Sequence, residues 1–451
     1  MEIRIPEEVR RIIGILEEHG HEAYAVGGCV RDSLLYRVPE DWDITTSAMP
    51  AQVKALFRRT VDTGIAHGTV TVMMGKKGFE VTTYRVDGDY EDSRHPKQVT
   101  YTKSLPEDLK RRDFTINAMA YNPGTGLVDP LGGEEDLRKK VIRCVGSARE
   151  RFTEDALRIL RAIRFSAQLG FSVEPRTREA AHELVSTLAR ISRERIQAEI
   201  TKLLVSDNPQ YFRELYEAGI TAQIFPEFDV MMETGQNTPY HCYTVGEHTL
   251  AMLGVVGASP VLRWTALLHD CGKPWSCQTD ASGRQHFKGH EKESAGRARR
   301  ILKELKFDND TVDQVTKLIA WHTARFEGGK YEIRKCLNQI GVQMFPLLLE
   351  VDAADAMAKN PVFQDESLRR CARARALYQE ILADGDCFRL DRLAVSGGDL
   401  REAGMKPGPL MGAVLNRMLD EVMKDPSRNT KEYLLANLLR YAGAEETGRE
   451  D

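Results

Sequence analysis

The sequence predicts an α+β protein: a head with a small mixed sheet, followed by a long and mostly helical remainder. Three observations carry that prediction. Short alternating runs such as "TVTVM" and "FEVTTY", broken by glycines, are confined to the first 145 residues. Beyond them the apolar positions recur at steps of three and four, as in "EDALRILRAIRFSAQLGF", where Leu157, Leu160 and Ile163 make a buried stripe. The chain has 451 residues, enough for roughly two to four domains with their own cores.

Composition narrows the class. A hydrophobic content of 42% and a charged content of 29% describe an ordinary globular protein. The opening "MEIRIPEEVRR" has no apolar signal region. The apolar window "LAMLGVVGASPVLRWTALL" is broken by Pro260 and Arg263, so it predicts buried helices and no membrane span. Eight cysteines without C-x-x-C pairing argue for a reducing cytoplasm and against a disulfide or zinc scaffold. The net charge of −4 hides local asymmetry, since "KRRDF" and "RERFTEDALRILRAIRF" are densely basic and are where a polyanion would bind.

Along the head, "YAVGGCVRDSLL" predicts a strand at Tyr24 to Val26, a tight turn at Gly27-Gly28 and a helix opening with "CVRD". Bare N–H groups after a double glycine suit phosphate, and Arg31 adds a charged fork. Next comes "EDWDITTS". In an extended strand Asp41 and Asp43 share one face, with Trp42 and Ile44 turned into the core. Two carboxylates on one spot repel unless a hard cation such as Mg²⁺ lies between them; taken alone, the pair also fits a solvated turn after Pro39. The runs Thr69–Met73 and Phe79–Tyr84, joined through Gly75–Gly78, predict a β-hairpin, and Glu80 on its second strand is a candidate third carboxylate. The polar "DGDYEDSRHP" that follows predicts a mobile loop beside the site.

In the helical part, Asp155 and Arg158 stand three apart, neighbours on a helix surface. Together they offer acceptors and donors to a base edge; Arg161 and Arg164 continue the step, but turn away by about 60° each and fan out. "ISRERIQAEITKLL" predicts a further helix capped by Ser192. Then follow "HCYTVGEHTLAML", "WTALLHDCGK", "GHEKESA", "IAWHT" and "EVDAADAMAKN", a series of histidines and aspartates suited to divalent metals. In the tail, "GGDL" predicts a turn and "KPGPLMG" a helix opening near Lys406 that could grip a phosphate or serve as a plain connector.

The motifs "GGCVRD", "DWDITTS", "GTVTV…EVTTYR", "RRDFTINAMAYNP", "VDPLGG" and "EDALRILRAIRFSAQLGF" stand in the order and approximate spacing of the class II tRNA nucleotidyltransferase and poly(A) polymerase family. The chain resembles its bacterial CCA-adding members over roughly the first 205 residues. The resemblance implies a polymerase-β-like nucleotidyltransferase head in which Asp41 and Asp43 hold Mg²⁺, with Gly28, Arg31 and Arg112 on the nucleotide phosphates. It implies that Asp155 and Arg158, with Arg161 and Arg164 near the site, select CTP and then ATP without a nucleic-acid template, and that tRNA is the acceptor. The histidine and aspartate series resembles the HD phosphohydrolase superfamily. That resemblance implies His248, His269, Asp270 and Asp355 as ligands of one divalent metal, with His290 and His322 available for a second, whereas His241 and His286 are surface or capping residues.

The expected organisation is a head over 1–145, a neck and body over 146–235, an HD domain over 236–387 and an RNA-binding tail over 388–451. The rival readings are addition of only CC or only A, a poly(A) polymerase, and an HD phosphohydrolase with a nucleotide-sensing head. The "DGDYEDSRHP" segment weighs against CC-only addition. Absence of a G-[RK]-[RK]-F stretch after the acids weighs against poly(A) synthesis.

Overall fold

A computed structural model gives the fold and describes residues 3–88, 99–327 and 329–443. The chain forms two compact units, Met1–Asp229 and Val230–Asp451. Among the described residues no helix is long and apolar enough to cross a membrane.

The first unit opens with α1 (Glu7–Glu18), which buries Val9, Ile12, Ile13 and Leu16, a single stripe at helical spacing. Strand β1 (Ala23–Val26) leads through Gly27 into α2 (Gly28–Leu34), and the chain returns as β2 (Ile44–Thr46). After α3 (Pro50–Leu56) come β3 (Thr60–Gly64), β4 (Thr69–Met74) and β5 (Lys77–Thr83). The expected hairpin forms, with Thr71 opposite Glu80 and Val70 opposite Val81. β6 (Arg85–Asp87) and β7 (Val99–Tyr101) pair apart from the main sheet; in the expected loop, residues 89–96 lie outside the described residues. β8 (Ala120–Asn122) and β9 (Gly126–Val128) complete a seven-stranded mixed sheet in the order β3-β4-β5-β2-β1-β8-β9. β2 and β5 run parallel and every other neighbouring pair is antiparallel.

Period-two burial decides which side chains face the site. Phe79 and Val81 are buried, so Glu80 between them points outward. Beneath the glycine turn, Val26, Tyr84, Ala118, Ala120 and Val145 pack with Leu105 and Leu109 of α4 (Leu105–Lys110).

The helical part departs from expectation at one point. Instead of one long helix, α5 (Gly133–Lys139) is followed by α6 (Ala148–Glu154) and α7 (Leu157–Leu169). Asp155 between them is extended, at φ −141° and ψ 103°. Its carboxylate accepts the Leu157 N–H at 3.0 Å, satisfying a donor that an uninterrupted helix would have paired with a carbonyl. α8 (Pro175–Leu184) and α9 (Arg193–Leu204) follow; Ser192 precedes α9 as expected but makes no side-chain cap.

In the second unit, helices Val245–Val255, Pro260–Leu268, His290–Glu304, Asn309–Trp321 and Met344–Met357 carry the histidine and aspartate series or end beside it. The tail's "GGDL" is the first turn of helix Gly397–Glu402 rather than a free turn, because Ser396 and Asp399 form a reciprocal capping box. Gly408 precedes the helix Pro409–Lys424.

Candidate functional sites

In the head, Asp41 and Asp43 lie just before β2 rather than within it. The strict alternation therefore fails: Ile44 is fully buried, but Trp42 is only half-buried and shares a cleft wall with Asp41, Asp43 and Glu80. The Val26 N–H donates to the Asp43 carbonyl at 3.0 Å, which sets the second acid beside the glycine turn. Burial, then Glu80, then Asp41 raise the Asp43 carboxyl above its ordinary range, with Arg112 opposing them. Asp41 and Glu80 thus both add negative charge around Asp43, although the three carboxylates do not all converge within 4.8 Å, and a divalent cation would relieve their repulsion. Their all-oxygen donor set fits Mg²⁺.

Gly27 has φ +81°, and a Cβ there would meet Arg112 Nη1 at 3.2 Å, so the glycine lets the guanidinium lie against the turn. Arg112 Nε is buried without a partner among the described residues. Asp108, fully buried, holds this arginine: Arg112 Nη2 donates to Asp108 Oδ2 at 3.3 Å, and Arg111 and Thr45 bond the same carboxylate. Burial opposes the charge, but Arg112 and Arg111 keep Asp108 below the usual carboxylate range. Arg31 also has partners within the protein. It forks onto Asp32 at 2.8 and 2.9 Å and donates to Asn117 Oδ1 at 2.7 Å, so its donors are directed within the protein.

The side chains of the base-reading candidates have separate partners, although the Arg158 N–H donates to the Asp155 carbonyl at 3.0 Å. Asp155 accepts from Arg195 at 2.8 Å, while Arg158 donates to Glu154 at 2.6 Å and to the Arg111 carbonyl at 3.2 Å. Arg161 and Arg164 fan out as expected. Arg161 donates twice to Asp113, at 2.8 and 2.5 Å, and Arg164 Nε lies 2.6 Å from Glu199. Both guanidinium groups pack on the Phe165 ring, at 5.2 and 4.0 Å. Burial pushes Arg164 down to about 10 despite Glu199.

Asp113 is the buried hinge pin of this network. Burial works against its charge, but Arg161 and Arg158 hold its carboxyl well below the usual range. A depressed folded-state pKa contributes stability that is fully present above about pH 4, the unfolded value, and is lost as pH falls below it. Asp113→Asn is therefore expected to lower stability at pH 7, with the gap to the parent narrowing by pH 3. Urea unfolding at the two pH values checks this.

The second unit gathers all six predicted ligands. His269 Nε2 is 3.1 Å from Asp270 Oδ2 and 3.3 Å from His248 Nε2. His248 Nε2 is 3.0 Å from Asp355 Oδ1. On the other side of Asp270, Oδ1 is 3.2 Å from His290 Nε2 and 3.6 Å from His322 Nε2. Two ligand groups result, His248-His269-Asp270 and Asp270-His290-His322, sharing Asp270.

The opposite ring nitrogens explain what these groups want. Each Nδ1 reaches a main-chain carbonyl: His248 to Ala358 at 3.2 Å, His269 to Ala266 at 2.8 Å, His290 to Phe287 at 2.7 Å and His322 to Ile319 at 2.6 Å. A carbonyl only accepts, so each Nδ1 carries a proton and each ring turns its Nε2 toward the aspartates, the orientation in which a histidine ligates a metal. The Nε2 atoms also converge on one another, His248 with His269 and His290 with His322, each pair 3.3 Å apart. Asp270 Oδ1 is also buried without a hydrogen bond among the described residues. The mixed nitrogen and oxygen donor set fits a divalent transition metal.

Sequence reading missed the two lysines of this centre. Lys273 Nζ lies 2.7 Å from Asp270 Oδ2, and Lys359 pairs with Asp355. Their spacings, H-D-x-x-K and D-x-x-x-K, are one helical turn and were the available signal. Burial resists the charge on Asp270, but His269 and Lys273 hold it well below the usual range. His241 is no surface residue: its ring meets His248 edge-on at 5.1 Å, and burial drives it down to about 2. His286 is exposed and pairs with Asp280 at 2.8 Å, as a surface residue does.

Comparison with known proteins adds an independent line. The Poly A polymerase head domain family matches residues 23–143, the RNA- and SrmB-binding site family of polymerase A matches 170–232, and the tRNA nucleotidyltransferase domain 2 family matches 291–438. The CCA-adding enzyme of Geobacillus stearothermophilus is 52% identical over 441 residues, covering 96% of each chain. That of Lactiplantibacillus plantarum is 34% identical over 438 residues, covering 95% of each. The crystal structure of the Bacillus stearothermophilus CCA-adding enzyme in complex with CTP superposes with a TM-score of 0.75, at 31% identity and 98% coverage of both chains. With similarity of that extent along nearly its whole length, the chain belongs to the CCA-adding enzyme family.

Proposed function

We propose that this protein adds C, C and A to the 3′ end of tRNA from CTP and ATP without a nucleic-acid template, in a reducing cytoplasm. The observation that carries the reading is the cluster of Asp41, Asp43 and Glu80 beside a glycine turn and Arg112, in a chain of this family. The RNA 3′-oxygen forms a bond to the α-phosphorus of the nucleotide, and the bond to pyrophosphate breaks. Mg²⁺ held by the carboxylates would lower the cost of charge on the attacking and leaving oxygens. The chain's own residues position the reactants: Gly28 and Arg112, steadied by Asp108, take the phosphates, and Asp155 and Arg158 meet the base. Arg161 and Arg164, tied to Asp113 and Glu199, hold α7 in place. Arg31, through Asn117, steadies the turn as well as adding charge behind the phosphates. In this organisation, residues 1–145 form the transferase head, 146–235 the base-reading neck and 388–451 a tail for the RNA.

Purified protein is given tRNA ending before CCA, after C and after CC, with each labelled nucleotide separately and together. Incorporation of C, C and then A that stops is expected; A alone, CC alone or a long A tract selects a rival reading. Arg158→Ala is expected to cut the preference for CTP over UTP by about tenfold, within the ~1–3 kcal/mol of a bidentate base contact. The ratio of kcat/KM values checks it.

The converging Nε2 atoms favour a second activity at residues 236–387: metal-dependent hydrolysis of a phosphate ester at an RNA end. The centre opens on a cavity of about 970 Å³ whose wall includes Arg284, Lys288, Arg325 and Arg370, cations suited to phosphate. Release of inorganic phosphate from 3′-phosphorylated or cyclic-phosphate RNA, lost in His269→Ala, tests it.

A further inference from the structure

The cavity beside the histidines and aspartates of the second unit has an element that metal chemistry leaves unexplained, the turn over residues 238–241. Thr238, Tyr240 and His241 all lie in the cavity wall. Tyr240 is 47% exposed, and its ring is braced by that of Phe363, with centroids 4.8 Å apart and planes at 57°. The turn is anchored on both sides of the metal centre. Shortly after the ligand Asp355, the Asn360 N–H donates to the Tyr240 carbonyl and the Asn360 side-chain amide to the Pro239 carbonyl, each at 3.0 Å. On the other side Lys273, the partner of Asp270, donates to the Gln236 side chain at 2.7 Å.

Two buried polar atoms on this turn, Thr238 Oγ1 and His241 Nδ1, have no hydrogen-bond partner among the described residues. Buried polar atoms are ordinarily satisfied, so each one left over calls for a reason. A half-exposed tyrosine alone calls for none. A braced aromatic ring next to two such atoms is what a nucleoside requires: a flat platform for its base, and partners for its ribose hydroxyls or base edge. The spacing to the metal centre also suits it. Tyr240 and His241 are neighbours, with Cα atoms about 3.8 Å apart, and the His241 ring meets that of the ligand His248. A base on Tyr240 thus leaves its ribose phosphate within reach of the converging Nε2 atoms. Charge alone does not choose the ligand, because Glu291, Asp352 and Glu366 share the wall with Arg284, Lys288 and Arg325. The turn does.

We infer that this cavity takes a ribonucleoside phosphate, free or at an RNA 3′ end, with its base stacked on Tyr240, its polar groups bonded by Thr238 and His241, and its phosphate at the histidine and aspartate centre. The inference rests on the phosphohydrolase reading of residues 236–387 and names the part of the substrate that the metal does not touch.

Two readouts test it on the full-length protein loaded with Mn²⁺. The first needs no turnover. A 2-aminopurine nucleoside carrying a 3′-phosphonate, whose carbon–phosphorus bond resists hydrolysis, is titrated free and as the last residue of an RNA oligonucleotide. Stacking quenches the fluorophore. Quenching is expected in the wild type, lost in Tyr240→Ala and regained in Tyr240→Trp; equal affinity of the two probes assigns a free nucleotide, and tighter binding of the oligonucleotide assigns the RNA end. The second readout is phosphate release from a nucleoside 3′-monophosphate and from ribose 3-phosphate. The ratio of their kcat/KM values is expected to fall about tenfold in Tyr240→Ala, in the range of one base stacked on one ring, and to return in Tyr240→Trp. Quenching that persists in Tyr240→Ala, or a ratio within about twofold of the wild type, overturns the seat. Release of no phosphate from either substrate by the wild type overturns the hydrolase reading instead, while the quenching still decides where the base sits.

Discussion

Replacing Asp41 or Asp43 by alanine is expected to abolish nucleotide incorporation, with kcat/KM falling on the order of a thousandfold or more, as loss of about 4 kcal/mol of charge stabilisation would produce. The same change is not expected to unfold the protein. Asp43 is raised by burial, Glu80 and Asp41, so its folded-state pKa lies above the unfolded one. Its ionised form therefore costs stability at neutral pH, and the cost disappears as pH falls through the folded value and the group is protonated. Asp43→Asn should leave the melting temperature in EDTA equal to or above that of the parent while activity is lost. Single-turnover incorporation and a melt in EDTA check both halves. A fully active Asp43→Asn protein would remove the carboxylate cluster from the chemistry.

In the second unit the largest effect is expected from Asp270→Ala. This aspartate serves both ligand groups and also pairs with Lys273, which is 4% exposed. Removing the carboxylate leaves a buried ammonium whose remaining hydrogen bond among the described residues is to Gln236, at 2.7 Å. Breaking a buried pair in this way costs about 3–5 kcal/mol. For a unit of this size that is roughly 6–20 °C in melting temperature. The double variant Asp270→Ala, Lys273→Met should recover much of the loss, because no charge is then stranded. Neither variant should retain transition metal after dialysis, measured by elemental analysis. Incorporation of CMP at a permissive temperature should survive in both, which separates the two centres.

What could be read from the sequence depended on whether local spacing or tertiary placement decided the outcome. The hairpin from Thr69 to Thr83 was legible because alternation and a glycine-bearing turn agreed. The six ligands were legible as residue types in series, and their convergence follows from helices that each deliver one or two of them. Asp41 and Asp43 were legible as a pair, but strand alternation misplaced Trp42, since the pairing of β2 begins one residue after Asp43, at Ile44. The roles of Asp108 and Asp113 were not legible. Arg161, distant in sequence, defines the second, and the first joins Thr45 and Arg85, likewise distant, to Arg111 and Arg112 one helical turn on. Arg31's bond to Asn117 was not legible for the same reason: only the folded chain brings that amide within its reach.

The interruption at Asp155 bears on the base selection proposed above. Had residues 148–169 been one rod, the separation between this acid and Arg158 would be set by helical pitch, and altering it would mean melting a turn. Because Asp155 is extended, its carboxylate is placed by its own backbone angles and by its bonds to the Leu157 N–H and to Arg195 rather than by helical pitch. Under the base-reading role proposed above, moving the acid relative to Arg158 means exchanging its Arg195 partner rather than unwinding a helix.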